Sequence, residues 1–210
     1  MTQSAKNPQK TKSVLREYAE AIIIALVLAL FIRTFVIQAF KIPSGSMIPT
    51  LLIGDHILVN KFLYGIKNPI TGSTWVEIKH PQRGDVIVFK YPVNPKQDFI
   101  KRVVGVAGDQ IKIIDKNLYV NDTLLELPQT QHVDPNILPG SVSPRDNMGP
   151  ITVPPNSVFV MGDNRDNSHD SRFWKFVKLK EVKGKAIILY WSWNKENFSV
   201  RWNRIFDLIH

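Results

Sequence analysis

A chain of 210 residues with 44% hydrophobic content can build one good-sized core, or a core with a smaller lobe, which excludes a peptide-sized or fully disordered product. There is no cysteine, so a disulfide framework, a thiolate nucleophile and a Cys-containing zinc site are excluded as well. The net charge of +9 asks for an anionic partner, either nucleic acid or a phospholipid surface.

Residues 1–14 open the chain as a polar segment with Lys6, Lys10 and Lys12 and no acid, read as a cytoplasmic tail. From Ala21 to Ile32 every residue is apolar, and Phe35, Val36 and Ile37 carry the hydrophobicity past Arg33 and Thr34. Because a helix needs about 20 residues to cross a bilayer, the span is placed at residues 15–37, with Glu17, Glu20 and Arg33 at its interfaces. A cleavable signal peptide shares the basic start and the short apolar run. It also needs a small-x-small site, and bulky Phe35, Val36 and Ile37 follow instead. The expectation is an uncleaved, single-pass anchor with its basic end inside and everything after Gln38 outside the cytoplasm. That makes the phospholipid membrane, not nucleic acid, the anionic partner.

Past the anchor comes Pro43-Ser44-Gly45-Ser46-Met47-Ile48-Pro49-Thr50-Leu51. Its prolines remove backbone donors and stiffen the chain around two hydroxyls, which is one way to expose a serine and equally the composition of a linker. Strand-like segments then succeed one another: 56–59, 85–90, 99–106, 110–114, 158–161 and 186–193 are rich in β-branched and aromatic residues and bounded by Gly, Pro or Asp. Between residues 124 and 155, prolines at 128, 135, 139, 144, 150, 154 and 155 interrupt any period. The expected fold is mostly β: a single N-terminal transmembrane helix, then an antiparallel β domain over residues 38–115 and 156–210 with a loop-rich inserted lobe at 116–155. The tail from Asn194 to His210, with Arg201, Trp202, Arg204, Ile205 and Phe206, suits either lipid headgroups or packing on the β domain.

A nucleophilic serine needs a base. None of His56, His80, His132, His169 and His210 sits in a triad context, and Gly-x-Ser-x-Gly is absent around Ser46. Lysine serves if burial keeps it neutral. Lys101, within Asp98-Phe99-Ile100-Lys101-Arg102-Val103-Val104-Gly105, lies in an apolar strand whose alternation points its amine and the Arg102 guanidinium to opposite sides. The third cluster runs Met161-Gly162-Asp163-Asn164-Arg165-Asp166-Asn167-Ser168-His169-Asp170-Ser171-Arg172. As a calcium loop it fails, since Arg165, Ser168 and Trp174 fall at the third, sixth and twelfth positions from Asp163. Its balanced charges suggest a self-paired scaffold.

Together these segments resemble the bacterial type I signal peptidases, membrane-bound serine proteases that remove signal peptides. The resemblance rests on Ile-Pro-Ser-Gly-Ser-Met-x-Pro-Thr-Leu, Arg-Gly-Asp-Val-x-Val-Phe, Ile-Lys-Arg-Val-Val-Gly-x-x-Gly-Asp and Gly-Asp-Asn-Arg-Asp-Asn-Ser-x-Asp-Ser-Arg, in family order from about Phe40 to Arg172. The well-known enterobacterial form has two membrane helices, whereas this sequence shows one. The resemblance implies a β domain of the signal-peptidase and repressor-protease type. It implies Ser46 as nucleophile, Lys101 as general base, and the Ser46 N–H with the Ser44 hydroxyl as oxyanion donors. Ser168 would orient the lysine amine, Asp170 and Arg172 would form a supporting ion pair, and Asp163 and Arg165 would be further scaffold. Subsites for small side chains, usually alanine at the first and third residues before the cut, would fall on Phe40, Ile42, Pro43, Met47, Leu51, Ile57, Val88, Asp98, Phe99 and Ile100.

The implied partners are signal peptides of exported preproteins, the phospholipid membrane and, as a candidate, the secretion translocon. The implied location is the bacterial cytoplasmic membrane with the catalytic domain on its outer side, and no cofactor or metal is expected. Two other readings stand beside this one. A self-cleaving repressor-type protease would carry a helical DNA-binding domain where the anchor stands. An inactive membrane-anchored assembly factor would not require Ser46, Lys101 and Ser168 to be intact.

Overall fold

The computed structural model describes residues 14–68 and 74–210; of the expected tail, residues 1–13 lie outside the described residues. The apolar run forms α1 (Val14–Phe35), 22 residues long with none of its side chains buried in the protein and a mean hydropathy of 2.0 over its most apolar 18 residues. At about 1.5 Å per residue it is long enough to span a hydrocarbon core. Residue 37, assigned to the anchor from sequence, begins the first strand instead.

The body is built of β1 (Ile37–Lys41), β2 (Asp55–Asn60), β3 (Gly65–Lys67), β4 (Thr74–Glu77), β5 (Val86–Lys90), β6 (Asp98–Val106), β7 (Gln110–Ile114), β8 (Asn117–Val120), β9 (Thr123–Leu124), β10 (Met148–Thr152), β11 (Ser157–Met161), β12 (Val177–Lys178), β13 (Val182–Asn194) and β14 (Ser199–Val200). A four-residue helix α2 (Ser171–Trp174) precedes β12. The large sheet runs β1-β2-β13-β5-β6-β11-β12, with β14 added on β13; the small sheet runs β10-β7-β8-β9; β3 and β4 form a hairpin. Every pair of named strands is antiparallel.

The middle of the large sheet is covered on both faces, which is why its strands read as continuous apolar runs and not as alternations. Along β6 and β11, Val103, Val158 and Val160 join one cluster with Ile87 and Phe89. The intervening Val104, Phe159 and Met161 join another with Ile111, Ile113, Leu118 and Val120 of the small sheet. The period of two thus sends alternate residues into two cores. The small sheet begins at β7, ahead of the boundary expected for the inserted lobe, so lobe and main sheet share apolar packing.

A third cluster gathers Ile42, Met47, Leu51, Ile57, Val59, Val88 and Leu189 under the loop between β1 and β2. The end of α1 is tied to the body by Lys61, whose amide donates to Val36 O (2.9 Å) and whose amine donates to Thr34 O (2.5 Å). The C-terminal tail packs on the β domain: Arg204 Nη2 meets buried Asp55 at 2.7 Å, and Phe206 N donates to Leu189 O. Its Phe198, Trp202 and Phe206 side chains remain exposed.

Candidate active site

The loop from Ile42 to Gly54 connects a tight antiparallel pair, and its apolar residues decide how it lies. Met47 and Leu51 are completely buried, so the chain on either side of them is pinned to the core. Ser46, just before Met47, is left half-buried at the surface, and Ser44 is exposed. The loop is also held laterally: Asn164 N donates to Ser46 O (3.2 Å), Asn164 Nδ2 donates to Gly45 O (3.2 Å), and Thr50 Oγ1 donates to Asp163 Oδ2 (2.5 Å).

Lys101 comes from β6, in register with Ile87 of β5. Only 3% of it is exposed. Its amine donates to Ser46 Oγ at 2.7 Å and to Ile100 O at 3.0 Å, with the Phe99 ring 5.4 Å away. Burial pushes its pKa down from 10.5 to about 8; Asp170 and Asp163 pull the other way, and Arg172 adds to the depression. A lysine in this state is neutral in a useful fraction of molecules near physiological pH, and neutral is the form that can take a proton from a hydroxyl.

Behind the pair stands the segment from Asp163 to Arg172. Arg102 grips Asp163 with two bonds of 2.8 and 2.7 Å, and Arg172 grips Asp170 with two of 2.8 Å, all four groups being buried. Burial would raise the Asp170 pKa. The Arg172 charge and its hydrogen bonds, with the Gly162 amide, overcome it and hold the carboxyl below its usual range. Asp170 also caps α2 by accepting from Arg172 N. Arg165 makes no ion pair with Asp163; its Nε donates to Gly162 O at 3.1 Å. Asp166 faces the lobe, bonded to Lys116 Nζ (2.8 Å) and to the amides of Val133 and Asp134.

Ser46, Lys101, Ser44 and Phe99 line one cleft of about 310 Å³ with Asn164, Asn167 and His169. The Ser46 N–H and the Ser44 hydroxyl form no internal hydrogen bond among the described residues, so both are available to a ligand in the cleft. A larger groove of about 690 Å³, lined in part by His80, Arg83, Ala107 and Asn156, contains none of these residues, and the chemistry points to the smaller one.

The model of the family described as signal peptidase, peptidase S26, matches residues 15–191. The chain belongs to this family. It is therefore a serine peptidase, a hydrolase. Among its relatives, the signal peptidase I of Pseudomonas aeruginosa is 37% identical over 89% of this chain and 78% of that protein. That of Aquifex aeolicus is 34% identical over 85% of each. A crystal structure of a signal peptidase I from Enterococcus faecalis V583 is 32% identical and superposes with a TM-score of 0.42 over 52% of this chain and 98% of that one.

Of the residues expected in the peptidase site, Ser44, Ser46, Lys101, Asp163, Arg165, Ser168, Asp170 and Arg172 do come together around the cleft or directly behind it. Ser168 is buried, but its Oγ has no hydrogen-bond partner, and the bond expected from it to Lys101 is absent among the described residues. Of the ten expected subsite residues, Phe99 lines the cleft. Ile42, Met47, Leu51, Ile57 and Val88 are buried core residues, with Phe40 and Ile100 packed against them. Pro43 is exposed, and Asp98 is bonded to Lys183 Nζ at 2.7 Å.

Sequence reasoning gave Arg102 no role, yet it also donates to Gly84 O and His210 O and joins three distant segments. Gly162 was equally silent. A Cβ there would overlap both Ser168 Oγ and Ser46 O, so the glycine is the spacer between the serine loop and the segment behind it.

Proposed function

We propose that this chain is a membrane-anchored endopeptidase that removes signal peptides from exported preproteins, with Ser46 as nucleophile and Lys101 as its general base. The observation that carries the reading is the 2.7 Å hydrogen bond from the Lys101 amine to Ser46 Oγ, made by a lysine that burial holds at a pKa of about 8. Neutral Lys101 takes the Ser46 proton as Oγ attacks the scissile carbonyl. The ammonium so formed protonates the leaving amine, and an acyl-enzyme remains on Ser46. A water deprotonated by the same lysine attacks the ester and releases the acid. The oxyanion of each tetrahedral intermediate is held by the Ser46 N–H and the Ser44 hydroxyl, each donor contributing about 2.7–4 kcal/mol.

The cleft's modest volume and the Phe99 ring in its wall favour small side chains, as in Ala-x-Ala, before the cut. Lysine-rich residues 1–14 and the single apolar helix support a single-pass topology in the bacterial cytoplasmic membrane, with the β domain on the outer side. Signal peptides and phospholipid are then the partners, with the translocon a candidate neighbour. Purified Ser46→Ala and Lys101→Ala variants should each lose preprotein cleavage. Undiminished cleavage by either would sink the dyad.

A further inference from the structure

Four arginines converge behind the cleft, and three of them have a carboxylate. Arg102 holds Asp163, Arg172 holds Asp170, and Arg145 holds Asp134 and Asp146 at 2.8 and 2.7 Å. Arg165 has none among the described residues. It is 3% exposed, and its one side-chain hydrogen bond runs from Nε to Gly162 O. Burial, together with repulsion from Arg172 and Arg102, brings its pKa down to about 10 even though Asp170 and Asp163 favour its charge. A guanidinium taken out of water without an anion is a costly arrangement.

Arg165 lines a pocket of about 180 Å³ between the lobe and the segment behind the cleft, shared with Lys116, His132, Thr130, Leu125 and Glu126 among others. The lobe reaches it through Gln131, whose backbone bridges to Asn164 and accepts from Arg165 N (3.0 Å). Two polar features of the pocket lack a protein partner: Arg165, whose side chain bonds only through Nε among the described residues, and Thr130 Oγ1, which is buried with nothing to bond. Lys116 spends two of its three donors on Asp166 Oδ1 and Asp134 O. Among the lining residues the one carboxylate, Glu126, is exposed, and behind them Asp166 is shared by Lys116 (2.8 Å) and His132 Nδ1 (3.5 Å) and does not pair with Arg165. The volume is on the order of six waters, enough for a phosphate group.

We infer that this pocket is a binding site for a phosphate group, held by Arg165 with Thr130 and the remaining donor of Lys116. The group supplies the missing counter-charge for Arg165 and an acceptor for the Thr130 hydroxyl. The source is either free inorganic phosphate or a phospholipid headgroup, and the chemistry of the pocket is the same for both.

The test uses the purified full chain in neutral detergent, titrated with inorganic phosphate against chloride at equal ionic strength and followed by thermal unfolding. A parallel arm reconstitutes it in phosphatidylcholine vesicles with and without phosphatidylglycerol. Saturable stabilisation by phosphate assigns a free anion; stabilisation by phosphatidylglycerol alone assigns a headgroup. Arg165→Gln should abolish either effect. Should Arg165→Gln fail to fold, Thr130→Val decides. Without ligand it should be as stable as the parent or more so, because it removes an unbonded buried hydroxyl, and its ligand response should need about tenfold more ligand. The inference is overturned if neither arm stabilises the parent, or if Thr130→Val responds as the parent does.

Discussion

Replacing Lys101 by methionine should abolish cleavage and at the same time stabilise the fold at neutral pH, a combination that follows from the cost of keeping this amine buried. Its pKa falls from 10.5 to about 8, and at 1.36 kcal/mol per unit that displacement corresponds to about 3 kcal/mol. Below pH 8 both folded and unfolded chains carry the proton, and the folded state bears the full penalty. Between pH 8 and 10.5 only the unfolded chain binds it, so stability must rise with pH across this window and level off above. Lys101→Met keeps the volume of the side chain and loses the titration. It should exceed the parent by up to about 3 kcal/mol at pH 7, less the lost Ser46 hydrogen bond, and the gap should close toward pH 10.5. Denaturant unfolding of the full chain in detergent, read by tryptophan fluorescence at several pH values, measures the gap. On the parent, kcat/KM for a preprotein should climb about tenfold per pH unit up to 8 and then flatten, because only the neutral amine is a base. A rate profile that keeps rising past pH 10, or a stability difference that does not change with pH, would refute the reasoning.

Gly162→Ala should fold but cut poorly. Its new methyl displaces Ser46 or Ser168, and a shift approaching 1 Å in a reacting group costs on the order of 100-fold, visible in kcat more than in KM. Ser44→Ala should leave thermal stability unchanged, since the hydroxyl has no internal partner, while kcat falls about 100- to 1,000-fold with KM near the parent value. Arg172→Met should destabilise by about 3–5 kcal/mol by stranding Asp170, and should move the rising limb of the rate profile to higher pH as the released carboxylate stabilises the Lys101 ammonium. Adding Asp170→Asn should bring the limb back, which a merely structural loss would not do.

How much of this was legible in the sequence depended on whether the determining interaction was local. Strands β2, β5, β6, β7, β11 and β13 were each marked by their own apolar or β-branched run. Strand β1 was not, because its Ile37 continues the hydrophobicity of the anchor, and only pairing with β2 separates the two. Strands β8 and β10 lay in or beside the proline-rich region, and β10 itself contains Pro150; they are strands because β7 lies between them. Ser46 and Lys101 stood out through the resemblance, but nothing in the spacing said that residues 55 apart would meet. Arg102 looked like one more basic residue on a sheet. Its partners are 61, 18 and 108 positions away, which no local pattern reports. Met47, Leu51 and Ile57, expected at subsites, are first of all what fastens the serine loop to the core.

A neutral lysine beside two carboxylates is an electrostatic contradiction that the charge pairs resolve. Left bare, Asp163 and Asp170 would hold the proton on Lys101 and undo what burial achieves. Each is instead saturated by a two-pronged arginine, one from the residue next to the lysine itself and one from the segment that carries the acid. Those same pairs fix Gly162, which donates its N–H to Asp170, accepts from Arg165 and spaces the serine loop. The separation of Ser46 and Lys101 is thus set by a third element that both rest against, so hydroxyl and amine are in position before any substrate arrives. Distance to the bilayer is set in the same way. β1 leaves α1 almost at once and pairs along its whole length with β2, and Lys61 locks the end of that pair nearest the helix, where Ile37 faces Asn60, to the end of the helix. Ser46 sits in the loop at the opposite end of the pair, within about 40 Å of the helix terminus by chain length alone. With α1 in the membrane, as proposed above, a substrate whose own apolar segment lies there would be met at a fixed height, without a separate device to find it.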